Sequence, residues 1–261
     1  MRKQHAVIRK IMAGFGLAAV MLAASATGVK AAGNVAVDAK HFPDKAFRTY
    51  ISEYVDTDKN GALSKTEIAK TTSMDLMYLS IKNLQGIQYF TNLEELACTG
   101  NKLKKLDVSK NTKLTMLNCT GNQLTKLDLS KNRNLGTLYC GENKLTSLDV
   151  SKNVKLFALV CFSNQIKELD LSKNTKLTSL SCSSNKLTKL KLNKNTKLTD
   201  LTCDNNQLTS LDVSKNTKLE ELMCNGNKLT KLDLSKNKKL RYLYCDSKVV
   251  VTGYKGEVAH P

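Results

Sequence analysis

The sequence predicts an α+β protein in which a short helical cap leads into a solenoid of stacked 21-residue repeats with a parallel β-sheet. Eight cysteines recur at this constant interval from Cys98 to Cys245, and eight leucines keep the same interval from Leu93 to Leu240. A fixed period of this length is typical of solenoid proteins. An amphipathic segment and an oxygen-rich loop precede the repeats. We therefore divide the chain into residues 1–31 as a signal peptide, 32–73 as the helical cap, 74–245 as the repeats and 246–261 as a C-terminal cap.

The segment 1–31 has the pattern of a secretory signal peptide. A basic start with Arg2, Lys3, Arg9 and Lys10 precedes an apolar stretch over 11–26, which is short for a membrane span of ~20 residues. Small residues before Ala32 suit cleavage there; cleavage after residue 26 and an uncleaved anchor are the alternatives. No second apolar stretch follows. We expect a chain without a membrane span after signal removal, either secreted or held non-covalently at the cell surface.

A helix is predicted directly after Pro43 and Asp44, which suit a helix start. Apolar residues then recur at helical spacing from Ala46 to Val55, so one face of this helix should be buried. The helix leads into the loop that follows, which makes the cap a helix–loop unit.

The twelve residues from Asp56 to Glu67 match the EF-hand loop, in which alternate residues offer oxygen ligands around a glycine turn. Hard oxygen ligands in a flexible loop favour calcium over zinc, so we expect calcium as the cofactor. The alternative is that Ser64 and Glu67 form nothing more than a helix capping box. Because a single loop is visible, the affinity should be modest. The predicted ligands are Asp56, Asp58, Asn60, the carbonyl of Ala62, Ser64 and Glu67.

Each repeat reads L-T-x-L-x-C-x-x-N-x-L-T-x-L-D-L-S-K-N-T-K, and its two halves both carry alternating apolar residues. This unit resembles the leucine-rich repeat, and most closely the 21-residue bacterial class called IRREKO. Residues 75–92 resemble the degenerate first repeat of internalin-type surface proteins, which also begin with a small helical cap. The resemblance implies a parallel sheet, one short strand per repeat, and a surface that binds a partner. It implies no particular receptor.

The cysteines and asparagines are expected to be structural. Each cysteine takes the place of a buried leucine in the general repeat, so free core thiols are expected; a disulfide framework is the alternative for an exported chain. Two asparagine columns, from Asn101 to Asn227 and from Asn111 to Asn237, should pair with backbone groups at the turns.

The chain is strongly basic, with a formal net charge of +18. Such a charge favours contact with polyanions, wall teichoic acid among them, but predicts no specific nucleic acid partner. One lysine recurs by period and could bind a polyanion; alternatively it extends into solvent beside an aspartate column. The lysine column is Lys110, Lys131, Lys152, Lys173, Lys194, Lys215 and Lys236.

The sequence predicts no enzyme and no catalytic residues. The repeats contain no histidine, and their acids recur by period as structural columns do. We expect a scaffold that binds a protein or glycan on a cell surface; a structural, charge-held wall protein is the alternative. Recognition should use the variable positions that point out of the strands. The central candidates could be repeat drift, and the terminal ones could pack under the C-terminal cap. The candidates are Met116, Tyr139, Val160, Phe162, Met223, Tyr242 and Tyr244.

Overall fold

A computed structural model describes residues 34–261. The predicted signal peptide lies outside the described residues. Among the helices of this described part, none is both long and apolar enough to cross a membrane.

The cap consists of two short helices joined by the oxygen-rich loop. Strand β1 (Val35–Ala36) precedes helix α1 (Lys45–Tyr50), which continues into a π-helical turn over Ile51–Val55. Strand β2 (Ala62–Leu63) and helix α2 (Lys65–Lys70) follow the loop. The helix predicted after Pro43 and Asp44 is confirmed, since the Asp44 carboxylate accepts hydrogen bonds from the first free amides of α1. Strands β1 and β2 pair antiparallel.

The repeats form one parallel sheet of ten short strands. Its central leucines align in register from strand to strand, for example Leu117 with Leu138 and Leu138 with Leu159. The predicted parallel-sheet solenoid is therefore confirmed. In sequence order the strands are β3 (Ser73–Asp75), β4 (Glu95–Ala97), β5 (Met116–Asn118), β6 (Thr137–Tyr139), β7 (Ala158–Val160), β8 (Ser179–Ser181), β9 (Asp200–Thr202), β10 (Glu221–Met223), β12 (Tyr242–Tyr244) and β14 (Val258–Ala259).

The second half of each repeat, here called the return half, is extended without being a regular strand in most repeats. Within residues 34–261, strand pairing of return halves is seen between β11 (Lys231–Asp233) and β13 (Val250–Thr252). An aspartate-centred turn ends the extended stretch. The Asp107 carboxylate accepts from the Ser109 amide at 2.9 Å, and later repeats copy this contact. Leu103 and Val108 still point into the core.

The core is a continuous stack of leucines and cysteines. All eight cysteines are free and buried, which confirms the prediction of core thiols. Both asparagine columns are hydrogen-bonded to backbone as expected. Asn122 donates to the carbonyls of Cys98 and Cys119, and its own oxygen accepts from the Leu103 amide. Each such amide links neighbouring repeats, so it replaces the hydrogen bonds that the extended turns cannot make.

The last described residues continue the solenoid beyond Cys245. Three consecutive valines at 249–251 are typical of a strand, and β13 overlaps them and runs parallel to β11. Strand β14 then pairs with β12 and stands at one end of the main sheet. This segment therefore adds backbone hydrogen bonds to both halves of the last repeat.

Candidate functional site

The candidate binding surface is the sheet face, which we define as the side of the ten-stranded sheet that points away from the core. Side chains alternate along a strand, so the residues on either side of each buried central leucine lie on this face. Four columns of residues therefore run across the repeats, at three and one positions before each cysteine and at one and two positions after it. Sequence differences between repeats in these columns give the face its chemistry.

A groove of about 410 Å³ lies along the sheet face. Four of the predicted contact residues line it: Tyr139, Val160, Phe162 and Met223. The expectation of well-exposed side chains is wrong for three of them, because Tyr139 is 8% exposed and Val160 and Met223 are each 5% exposed. Their neighbours on adjacent strands cover them, since parallel strands stand only ~4.8 Å apart. They form the floor of the groove.

The other three predicted contact residues lie elsewhere on the sheet face. Met116, Tyr242 and Tyr244 are partly exposed and do not line the groove. Tyr244 stands beside Ala259 of β14, in register with it. The structure therefore brings the central cluster together around one groove and leaves the terminal pair next to the last strand.

Glycines make room for the aromatic rings of the groove. A Cβ placed on Gly141 would lie 2.6 Å from the Phe162 ring, so this ring occupies space that any larger residue would fill. In the same way the ring of Tyr78 lies over Gly100. Each ring therefore lies along the face, over a neighbouring turn of the solenoid.

Tyr78 was missed by the sequence analysis, although it lines one end of the groove and is 73% exposed. It belongs to the degenerate first repeat. Met74 of this repeat pairs with Leu96, 22 residues later, whereas Leu96 pairs with Leu117, 21 residues later. Counting with the regular period therefore shifts this first repeat by one position. Tyr78 and Gly100 are separated by the same longer interval, and allowing for it would have placed Tyr78 on the sheet face.

Three acidic residues line the groove beside the aromatic rings: Glu142, Asp200 and Asp204. The Asp200 carboxylate accepts from the Thr199 hydroxyl at 2.6 Å and is partly exposed. Asp204 is buried and accepts from the Ser183 hydroxyl and the Asn205 amide group. These hydrogen bonds hold the two aspartate carboxylates in fixed positions. The groove therefore combines an apolar floor with ordered acidic side chains.

The predicted calcium loop brings three carboxylates together. Oxygens of Asp56, Asp58 and Glu67 all lie within 4.8 Å of one another. Asp56 is 1% exposed, and its Oδ1 atom is buried without a hydrogen-bond partner while Oδ2 accepts from the Gly61 amide. Burial raises the pKa of Asp56, and the neighbouring carboxylates raise it further. An unpartnered buried carboxylate oxygen among acids fits a cation.

The remaining predicted ligands are ordered by the loop itself. The Asn60 oxygen accepts from the Ala62 amide at 2.8 Å, and the Asn60 amide group donates to Asp58. Ser64 and Glu67 form the capping box that was the alternative interpretation. Glu67 additionally accepts from the Thr57 amide at 2.6 Å. Burial would raise the pKa of Glu67, but the hydrogen bonds from Ser64 and Thr57 outweigh it, and this pKa lies below its usual value.

The capping box and the acidic cluster therefore coexist. The capping box uses Ser64 and Glu67, and it leaves the positions of Asp56 and Asp58 unexplained. Strand β1 pairs with β2, the strand that carries the predicted ligand Ala62.

The comparisons with known proteins point to internalins, while no family model matches the chain. The chain is 42% identical over 71 residues to Internalin J of Listeria monocytogenes, a stretch that covers 27% of this chain and 8% of that protein. The solved functional domain of InlJ from Listeria monocytogenes, described as including a cysteine ladder, has a TM-score of 0.55 and 31% identity over 89% of this chain and 63% of that one. Internalin C2 from the same species shares the fold, with a TM-score of 0.72 and 22% identity over 86% of this chain and 99% of that one. The chain thus spans less than two thirds of the InlJ domain and a small part of Internalin J.

Proposed function

We propose that this leucine-rich-repeat protein, which is similar to the Listeria internalins, is a non-enzymatic scaffold that binds a protein partner on or near a cell surface. The groove of the sheet face supports the proposal: it joins Tyr139, Val160 and Phe162, which the sequence singled out, with the exposed ring of Tyr78. Aromatic anchors around a groove are typical of interface hot spots. The periodic acids of the return half accept hydrogen bonds from serine amides, as structural residues do.

The groove can be tested with a matched pair of phenylalanine variants. Phe162 lines the groove, whereas Phe157, in the same repeat, is 51% exposed and does not line it. Phe162→Ala should weaken saturable binding of the labelled protein to cells by ~1–2 kcal/mol, roughly 5- to 30-fold, because a buried anchor is lost. Phe157→Ala should bind like the wild type. Melting temperatures of both variants establish that each is folded.

The alternative is a protein held at the wall by charge alone. In that case high salt would remove it completely, binding would not saturate, and Phe162→Ala would bind as tightly as Phe157→Ala. Tyr139→Ala is expected to weaken binding as well, and its melting temperature needs particular attention because Tyr139 is almost covered. Loss of stability without loss of binding would assign this ring to packing.

Calcium is proposed as a structural cofactor of the cap. Asp56, Asp58 and Glu67 would supply carboxylates, Asn60 and Ser64 side-chain oxygens, and Ala62 its carbonyl, the set that a calcium loop uses. The buried, unpartnered Oδ1 of Asp56 supports this assignment. The ion would offset two of the three adjacent negative charges and tie the two helices of the cap together. The cap adjoins β3, so its order bears directly on the first repeat.

A second proposed interaction is contact with surface polyanions through the lysine column. All seven of these lysines are exposed, and they recur at the same turn of successive return halves. Neighbouring charges ~4.8 Å apart repel one another, and a polyanion such as wall teichoic acid relieves that repulsion. This contact is sequence-independent and weakens with salt. It accounts for localisation at a surface, whereas the groove accounts for selectivity.

A further inference from the structure

The sheet face differs from the rest of the chain in charge. Five of the 41 lysines and arginines lie in residues 1–33, which leaves 36 against 23 acids in residues 34–261. The four columns of the sheet face contain 32 positions across the eight cysteine repeats, and none of them is lysine or arginine. Six of the 32 are acids: Glu95, Glu142, Asp200, Asp204, Glu221 and Asp246.

Repulsion between like charges on successive repeats does not explain the absence of lysine and arginine from the sheet face. Lysines tolerate vertical stacking well in this fold, since one column of the return half carries lysine in seven successive repeats. About one residue in six is lysine or arginine from residue 34 onward, so roughly five would be expected among 32 positions by composition. Their exclusion extends over all four columns of the face that holds the groove. This face is therefore negative on a molecule whose net charge is strongly positive.

We infer that the groove takes an extended, cationic segment of a protein, in which lysine or arginine alternates with apolar residues. This rests on the proposed function and adds the chemistry of the partner. The Phe162 ring lies over Gly141, directly before Glu142 in the chain, and both Phe162 and Glu142 line the groove. A lysine or arginine stem lies along this ring while its head reaches the Glu142 carboxylate. Asp200 lies two strands from Val160, about 10 Å at ~4.8 Å per strand, and suits a second cationic side chain of the same segment.

The length of the groove suits such a segment. Its lining runs from Tyr78 beside β3 to Met223 in β10, eight neighbouring strands of the sheet. Seven intervals of ~4.8 Å give about 34 Å, which about ten extended residues cover at ~3.4 Å each. An anionic ligand would meet only like charge here. A neutral glycan would be compatible with lysines in these columns, so it does not account for their exclusion.

Labelled peptides test the inference directly. A dodecapeptide of three Lys-Ser-Leu-Ser units, which in extended form alternates lysine and leucine on one side, is compared with versions that carry glutamate or glutamine in place of lysine, by fluorescence anisotropy on the full chain at low salt. The lysine peptide should bind at least about ten-fold more tightly than either, although it approaches a protein of like net charge. Equal binding of the three peptides, or no binding, overturns the inference, as does tighter binding of an uncharged oligosaccharide panel.

Matched double variants locate the contact. Asp200→Asn with Glu142→Gln removes two charges from the groove, and Asp128→Asn with Asp170→Asn removes two from the return half, where asparagine still accepts the serine amides. The first should weaken the lysine peptide about five-fold or more and the second less than two-fold. Equal effects would mean a general charge response and would refute the inference. If Phe162→Ala loses cell binding while the groove-acid variant does not, the proposed function stands and the cationic partner falls.

Discussion

Eight residues at equivalent positions of successive repeats adopt a left-handed backbone conformation: seven lie two positions after the cysteines from Cys98 to Cys224, and Tyr78 is their equivalent in the first repeat. Their φ angles lie between +50° and +67°. Glycine adopts this region freely, whereas a residue with a Cβ is strained by roughly 1–2 kcal/mol. Asparagine is tolerated better than most. The column in chain order is Tyr78, Gly100, Gly121, Glu142, Ser163, Ser184, Asn205 and Gly226.

Gly121→Ala should measure this backbone cost. A Cβ at Gly121 would meet its nearest neighbour at 3.5 Å, an ordinary contact, so the effect of the substitution is conformational. The free energy of unfolding should fall by about 1 kcal/mol. It can be measured by urea denaturation, with Ser184→Ala as control, because that change keeps a Cβ in the same conformation and should alter stability by less than about 0.5 kcal/mol. Equal effects of the two substitutions would contradict the argument.

For single residues, the sequence predicted the side of the strand to which each side chain points better than it predicted the exposed fraction of that side chain. Alternation along a strand places Tyr139 and Val160 on the sheet face, and they are there. Their near-complete burial depends on what stands on the adjacent strands, which a single repeat does not reveal. Glu142 and Asp200 were not singled out. Their importance depends on the absence of lysine from all four columns of the sheet face, which is a property of the whole face and not of one residue.

At the scale of elements, the cap shows how the predicted calcium loop is ordered without a second loop beside it. Such loops usually pair through the short strand that follows the glycine turn. Here β1 pairs with that strand, and the Val37 amide donates to the Gly61 carbonyl at 2.9 Å. A strand from the segment before α1 thus occupies the position of a second loop. The sequence gives little sign of it, since so short a strand carries no periodicity.

Calcium should raise the melting temperature, and Glu67→Gln should remove that rise. Glutamine keeps one acceptor oxygen, so it retains the hydrogen bonds from either Thr57 or Ser64 but not from both, and it lacks the bidentate carboxylate that closes a calcium site. Its calcium-free melting temperature should therefore be somewhat lower than that of the wild type, and the test is the calcium-induced rise. With a dissociation constant of ~10⁻⁴–10⁻³ M, about 10 mM calcium should stabilise the wild type by about 1–3 kcal/mol. Differential scanning calorimetry with calcium and with chelator measures the difference.

Glu53→Gln provides the matched control for charge. Glu53 is an exposed acid of the π-helical turn outside the loop, so its loss should leave the calcium effect unchanged. Glu67→Ala should abolish the rise and also lower the calcium-free melting temperature, because the capping box is lost too. A full calcium response in Glu67→Gln would reject the site.

For the whole molecule, the buried thiols predict a sharp loss of stability in alkali. Burial raises the pKa of Cys119 and Cys161 to about 12, from an ordinary value near 9. A folded-state pKa above the unfolded one means that the unfolded chain loses protons first. Stability is therefore undiminished below about pH 9 and falls as the pH rises from there to about 12, by up to ~1.4 kcal/mol per pH unit for each such thiol.

Cys161→Ala isolates this contribution. The variant should be less stable at neutral pH because it leaves a small cavity, yet its stability should fall less steeply above pH 9, by about 1.4 kcal/mol per pH unit. Urea denaturation at pH 8, 9 and 10 gives both slopes. Parallel slopes would show that the Cys161 thiol ionises as readily in the folded chain as in the unfolded chain, and would contradict the argument.

The constant repeat period determined most of this architecture in advance. Eight copies of one pattern predict the parallel sheet, the core thiols and the asparagine columns, because each feature follows from one repeat placed on the next. The valines of β13 indicate a strand in the local sequence, whereas its partner β11 and the final strand β14 were harder to foresee. The pairings of both involve the segment after Cys245, where the sequence departs from the period.

The opposite charges of the two sides of the solenoid give the molecule an electric moment across its thickness. Lysines occupy the turns of the return half, and acids without lysine occupy the sheet face. In the field of an anionic polymer layer such a body rotates until its basic side faces the layer, before any specific contact forms. The groove then faces the surrounding medium. If the lysine column binds such a layer as proposed, attachment and orientation become one event, and every attached copy presents its groove at the same angle.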